Sequence, residues 1–264
     1  MTDWLLINVP MAILALLLIG VPSLVAMAAI WWVRRRVPAD VLAQNNDLGT
    51  TYFGVIGTIY AIFLGFTVVL VWEDLDQAES IVNQESSTIV SLYYTAQALP
   101  APAGDRAQQQ LRAYTVAVRD VEWETMAHGE GSSEAQEALG TVWETLTRAE
   151  PATAGQVAMH TEAVARLSEV SRQRQLRLQA SEASVSGIFW AVLLVGAVVT
   201  VGFACFFSMP SVRTQMAMTG LMTGMIMSGL FLVLVLDRPF TGSIRTEPEA
   251  FEHALALMDG PGHG

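Results

Sequence analysis

The 264-residue chain is 52% hydrophobic and only 15% charged, against ~25% charged residues in typical soluble domains, which argues against an ordinary soluble globular protein. Its formal net charge is −11, all 14 basic residues are Arg, and no basic stripe runs along any segment; binding to nucleic acid through phosphate neutralisation is excluded on that ground. The single Cys205 excludes an intrachain disulfide.

Four uncharged runs follow in chain order: Trp4–Val33, Leu48–Trp72, Ala183–Val212 and Thr214–Leu236. Each reaches the ~20 residues that a spanning helix needs. The first is read as a retained span and not a cleaved signal, because Asp3 precedes it and Arg34, Arg35 and Arg36 follow it, the reverse of a signal's charge order. Trp4 and the Trp31–Trp32 pair bracket it as interfacial aromatics, and Pro22 predicts a kink. Two short links, Arg34–Asp47 and the stretch around Met209–Arg213, fall on one side of the bilayer. The Arg34–Arg36 cluster places that side inside, so the expectation is a multi-pass plasma-membrane protein. Both termini and the middle segment are then extracytoplasmic.

No Pro or Gly lies between Gly65 and Pro100, so one helix is predicted from Leu48 in the membrane to Leu99 in water. A second, roughly Ala154–Ser208, mirrors it. Between them the middle segment reads as an antiparallel bundle. Leu75, Val82, Ile89, Leu92, Ala96 and Leu99 make the first stripe. Pro100–Gly104 breaks it, and Asp105 caps a helix carrying Leu111, Tyr114, Val118 and Val121. His128–Gly131 is a turn. Ser133 with Gln136 forms a capping box for a helix bearing Leu139, Val142, Trp143 and Leu146. Pro151–Gly155 breaks again before the stripe Val157, Val164, Leu167, Val170 and Leu178. After Pro239, the stretch Pro248–Met258 predicts a short amphipathic helix through Phe251, Leu255 and Met258, and Gly260–Gly264 reads as disordered.

Several constellations are candidates for function. In the second span Gly54, Thr58, Ala61 and Gly65 form a small-residue stripe, which suits close helix packing or a pore lining. The bulky Phe53, Ile56, Tyr60 and Phe63 are candidates for a constriction. Gly220, Gly224 and Ser228 make a second packing stripe in the fourth span. Glu73, Asp74, Asp76 and Glu79, just beyond the second span, form in a symmetric oligomer a carboxylate ring that concentrates cations at a pore mouth. No span carries a charge at its centre, so the signature of a proton-coupled carrier is missing. No zinc-hydrolase, phosphate-loop or serine-hydrolase motif occurs, and the four His are scattered. No catalytic residue, metal site or cofactor is expected, and an enzyme is the least favoured class.

A set of residues along most of the chain resembles the bestrophin-like DUF4239 family. It comprises Asn45–Asn46 with Gly49, Tyr60–Ala61 and the run to Trp72, then Ala78, Glu85, Leu92–Tyr93 and Leu99–Pro100. Tyr114, Glu122–Trp123 and Met126 follow, and last Asp237, Arg238, Pro239 and Phe240 within Leu236–Gly242. The resemblance implies a distant likeness to bestrophins, oligomeric anion channels with a hydrophobic neck on the second span. The acidic mouth and the outward placement of the large domain depart from that pattern.

The expected architecture is all-α: four transmembrane helices, and an extramembrane four-helix bundle continuous with the second and third spans. The segments are 1–72 (first two spans), 73–182 (bundle), 183–236 (last two spans) and 237–264 (polar tail). The expected function is a homo-oligomeric ion channel in the lipid bilayer, biased to inorganic cations by its mouth. The alternative is a non-conducting sensor or scaffold whose bundle binds a ligand or partner.

Overall fold

The computed structural model describes residues 10–43, 46–242 and 244–260. Trp4, Asn45 and residues 261–264, on which expectations above rest, lie outside them. The described chain is helical throughout, with no strand among the described residues. The helices are α1 (Met11–Arg36), α2 (Ala39–Ala43), α3 (Asn46–Ala96), α4 (Ala103–Ala117), α5 (Trp123–Met126), α6 (Ser133–Thr147), α7 (Ala154–Glu182), α8 (Gly187–Phe203), α9 (Val212–Leu236) and α10 (Glu249–Asp259). A π-helical turn, Val118–Glu122, joins α4 to α5, and a 3-10 turn, Ala204–Phe206, follows α8. Four helical stretches are long and apolar enough to cross a bilayer. The chain divides into two compact units, Met1–Glu73 with Ser184–Asp237, and Asp74–Ala183 with Arg238–Gly264.

In the first unit α1 packs along α9. The glycines of α9 permit it: a Cβ on Gly220 would stand 2.8 Å from the Met27 sulfur, and one on Gly224 would touch Ser23 Oγ at 3.5 Å. Close approach of this kind is what small residues allow where lipid offers no hydrophobic drive. The short links meet. Arg34 donates to Ser208 Oγ and, at 3.0 Å, to the Met209 carbonyl. Asn46 clasps the Ser208 backbone, accepting from its N–H at 3.2 Å and donating to its carbonyl at 2.9 Å. Side chains thus satisfy a loop that has no ladder of its own.

The second unit has one core, built from Ala78, Val82, Ile89 and Leu92 of α3, Leu111 and Tyr114 of α4, Leu139 and Val142 of α6, and Leu167 and Val170 of α7. The stripes read from periodicity therefore face inward, except at Val157, which is exposed. The tail adds a fifth helix to it. Phe251 and Ala254 of α10 are fully buried, and burying a Phe side chain contributes about 1.5–3 kcal/mol. Tyr93 and Tyr94 donate to the carbonyls of Met258 and Leu257, and Ser86 to that of Ala250. From the segment expected as a polar tail, Phe240, Phe251, Ala254 and Met258 are part of this core.

Three local expectations are corrected. The helix predicted over Ala154–Ser208 is interrupted: α7 ends at Glu182 and α8 begins at Gly187, with Ala183 extended at ψ 137°. Ser186 caps α8 by accepting from the Ile188 N–H, and Asp237 accepts the freed Val185 N–H at 2.5 Å. The Ser-rich stretch Ser181–Ser186 offers side-chain partners that compete with helix continuation. The α6 cap is Ser132, not Ser133; the extended residue is the one whose hydroxyl reaches the Glu134 and Ala135 amides. The capping box lies instead at Thr153–Gln156, opening α7. By contrast, the helix predicted from Leu48 is unbroken from Asn46 to Ala96, 51 residues.

Candidate functional site

Two places concentrate the residues singled out above: the outer face of α3 and a buried charge cluster in the second unit.

Along α3, the small residues Gly54, Thr58, Ala61 and Gly65 are exposed. A Cβ on Gly54, Gly57 or Gly65 would meet nothing within 4 Å. The opposite face is the packed one. Tyr60 is 7% exposed, and a Cβ on Gly196 of α8 would stand 2.5 Å from its ring. Phe53 stacks on Phe203 at 6.2 Å and meets Phe207 edge-on at 5.5 Å, while Phe63 stacks on Phe189 at 6.2 Å. Of the four residues expected at a constriction, Phe53, Tyr60 and Phe63 fill seams within the unit, and Ile56 is half-buried beside them. On a helix that is apolar all round, spacing alone does not say which face packs. Beyond the apolar run, Glu73, Asp74, Asp76 and Glu79 are exposed on the same helix. Asp76 and Glu79 share one polar side of α3 with Ser80, Asn83, Gln84 and Ser87.

The buried cluster joins the remaining motif residues. Glu85 of α3, Glu122 at the end of the π turn, and Arg177 of α7 are all fully buried. Arg177 donates from Nε to Glu85 Oε2 at 2.6 Å and from Nη2 to Glu122 Oε1 at 2.7 Å. Its Nη1 reaches the Met126 sulfur at 2.6 Å. Arg174, one turn back, donates to both Glu122 oxygens, at 3.2 Å and 2.5 Å, and to Gln136 Oε1. Tyr114 donates its hydroxyl to Glu85 Oε1 at 2.7 Å, and the Ser132 N–H donates to Glu122 Oε2 at 3.2 Å. Two carboxylates and two guanidiniums thus balance in charge, each carboxylate accepting several donors, which is what burial of ions requires. Trp123 closes the cluster: it meets Phe240 at 5.6 Å and Phe251 at 5.7 Å, and the Arg177 guanidinium lies 5.8 Å from its ring.

The π turn is what presents Glu122 and Trp123 side by side to this interior. One extra residue per turn shifts the register of α5 against α4. Sequence reading did not anticipate that bulge, and it gave Arg174 and Arg177 no role. A signal was present: Ala163, Leu167 and Val170 set the inward stripe of α7, and Arg174, Arg177 and Ser181 continue it at the same spacing of three and four. A charge on an inward stripe demands a buried partner.

Burial alone would raise the Glu122 carboxyl; the Arg177 and Arg174 guanidiniums outweigh it and hold the group below its ordinary range. Burial, and then the Glu85 charge, push Tyr114 well above its ordinary value, so it donates as a neutral phenol. The stability consequence follows from sign. A carboxyl whose folded pKa is depressed contributes stability that is fully present above its unfolded value and is lost as pH falls through the folded one. Thermal melts of the full chain in detergent, followed by circular dichroism, should hold their midpoint from pH 7 to about 5 and fall below about 4.3, the ordinary Glu value. A midpoint that declined already between pH 7 and 6 would contradict this.

Asp237 at the end of α9 accepts from Val185 N–H and, at 3.4 Å, from the Trp190 indole. It is thus a partner of the α7–α8 break. In the second unit the Pro239 carbonyl accepts from the Thr246 N–H at 2.7 Å, and Arg238 accepts through its carbonyl from the Thr241 N–H at 3.2 Å, which turns the chain so that Phe240 enters the core. Among the described residues no group of three or more His, Cys, Asp or Glu could hold a metal ion.

A sequence model of the Bestrophin-like domain matches residues 20–251. No curated protein sequence matches the chain. Among solved structures, a bacterial bestrophin homologue from Klebsiella pneumoniae is similar with a TM-score of 0.64 at 16% identity, covering 94% of this chain and 98% of that one. A point variant of that homologue gives a TM-score of 0.66 at 17% identity, covering 94% and 96%. A point variant described as a membrane protein gives 0.64 at 16% identity, covering 95% and 99%. At such identities these structures bear on the fold alone. The match that spans most of the sequence, running from α1 through the motif around Phe240 into α10, decides the family: the chain belongs to the Bestrophin-like family.

Proposed function

We propose that the protein is a homo-oligomeric ion channel whose pore is lined by α3, with a mouth biased to cations. The observation that carries this is the character of one face of that helix. At about 100° per residue, Gly54, Thr58, Ala61, Gly65, Asp76, Glu79, Asn83 and Ser87 fall within about 80° of one another. The face has small side chains where the helix is apolar, carboxylates next, and neutral polar groups after them, and it has no partner within the chain at Gly54 or Gly65. Repeated around an axis in the bilayer, it would form a narrow conduit with an acidic entrance, which attracts cations and repels anions. Membership of the Bestrophin-like family supports the channel class; the sign of the selectivity rests on Asp76 and Glu79.

The test is reconstitution of the purified oligomer in planar bilayers under a KCl gradient. The current should reverse near the potassium potential, and the double variant Asp76→Asn with Glu79→Gln should move the reversal toward zero, most clearly at low ionic strength, where the Debye length reaches ~30 Å. A reversal near the chloride potential, untouched by neutralisation, would overturn the cation bias. A silent but intact oligomer would turn the reading to a sensor or scaffold.

A further inference from the structure

At the end of α1 two guanidiniums fold back onto two indoles. The Arg35 guanidinium lies 3.8 Å from the Trp31 ring centroid, and that of Arg36 lies 5.2 Å from the Trp32 centroid. Each pair is spaced by four residues, and side chains on a helix lean toward its N-terminus. The two cations are thereby drawn back to the level of the rings. Trp31 and Trp32 are 44% and 55% exposed, and Arg35 and Arg36 are exposed beside them. Trp rings of a spanning helix sit at headgroup level.

Neither Arg35 nor Arg36 makes an ion pair or a hydrogen bond among the described residues. That sets them apart in a chain with 25 acidic residues and 14 Arg, most of whose other Arg side chains face a carboxylate. Arg34 is engaged elsewhere, with Ser208 and Met209. Stacking occupies one face of each free guanidinium and leaves its N–H edges to donate. A slot runs down from them. At about 100° per residue, Ala28 falls between Trp31 and Trp32 around the helix, and Leu24 and Val21 continue its line within about 40°. All three are exposed, so a methyl group flanked by two rings opens onto the apolar face of α1.

We propose that this end of α1 binds a phospholipid of net negative charge, its phosphodiester accepting from Arg35 and Arg36 and an acyl chain lying in the slot over Ala28, Leu24 and Val21. A guanidinium edge matches two phosphate oxygens, and the bilayer is the source of phosphate at the depth of interfacial rings. A zwitterionic lipid is the weaker ligand, because its ammonium offsets its phosphate. The site lies wholly on α1 and is independent of whether α3 lines a pore.

The experiment uses the full-length oligomer in phosphatidylcholine nanodiscs with a trace of phosphatidylglycerol carrying a diazirine in its acyl chain, and adducts are mapped by mass spectrometry. Adducts should concentrate on the peptide that contains residues 21–32. Excess phosphatidylglycerol should compete, and glycerol 3-phosphate, which supplies phosphate without a chain, should not. A charge near an anionic headgroup is worth about fivefold in affinity, so Arg35→Gln with Arg36→Gln should lower labelling of this peptide about 10- to 30-fold. Both side chains touch only the rings, so the melting temperature should hold. Ala28→Phe keeps both charges and fills the slot; it should remove most of the specific labelling, which separates a site from general attraction to the leaflet. Labelling that survives Ala28→Phe, equal labelling by a phosphatidylcholine probe, or adducts spread evenly over lipid-facing residues would each overturn the proposal. So would competition by glycerol 3-phosphate, the mark of a soluble-anion site, or an unlabelled peptide in the oligomer, the mark of a neighbouring copy covering it.

Discussion

Arg177→Met is expected to destabilise the second unit by about 3–5 kcal/mol, the cost of breaking a buried pair and leaving its partners charged. Arg177 is fully buried and makes close bonds to Glu85 and Glu122, both themselves fully buried. Removing it strands Glu85 with the Tyr114 hydroxyl as its remaining donor among those shown here, whereas Glu122 keeps Arg174. The loss should therefore come mainly from Glu85. Adding Glu85→Met to Arg177→Met replaces an ion pair by apolar volume, and exchanges of that kind are often neutral or stabilising; the double variant should recover a large part of the single variant's loss. Thermal melts of the full chain, with limited proteolysis to report opening of residues 74–183, would measure both. A single variant within about 0.5 kcal/mol of the parent, the range of ordinary surface changes, would mean that the cluster is relaxed by water.

The contrast between what was and was not legible follows from this cluster. The four apolar runs, the unbroken helix through Glu73 and the inward stripes of the bundle depend on local composition and period, and each is found in the structure. Glu85, Glu122, Trp123 and Phe240 stood out only through family resemblance. Their common place depends on a π bulge and on pairing across five helices, which no local pattern encodes. Arg174 and Arg177 had a local signal, charge on an inward stripe, but that signal names no partner. The break at 183–186 was hidden for a related reason: Ala and Ser tolerate a helix, and it is Asp237, over fifty positions away, that accepts the freed Val185 amide. On α3 the sequence supplied two opposed stripes, one small and one bulky. Only the packing of Tyr60 onto Gly196 tells which one the subunit consumes.

That assignment gives the sharpest prediction about conduction. Gly65→Trp adds a large ring where a Cβ meets nothing within 4 Å, so the subunit's melting temperature should hold. In the oligomer the ring would be repeated around the axis, and a belt of indoles in a narrow apolar conduit favours dewetting; the current should fall at least about tenfold at unchanged oligomer size. Gly196→Val is the control from the packed face. Its new Cβ would stand 2.5 Å from the Tyr60 ring, and overpacking of this kind costs about 1–3 kcal/mol, so it should lower the melting temperature whatever it does to current. Size-exclusion chromatography with light scattering separates the two ways in which Gly65→Trp could silence the protein. An intact oligomer without current places Gly65 on the conduction path, and a dissociated one places it at a contact between copies. An intact oligomer carrying full current would remove this face of α3 from the pore, and with it the reason that Asp76 and Glu79 should select the ion.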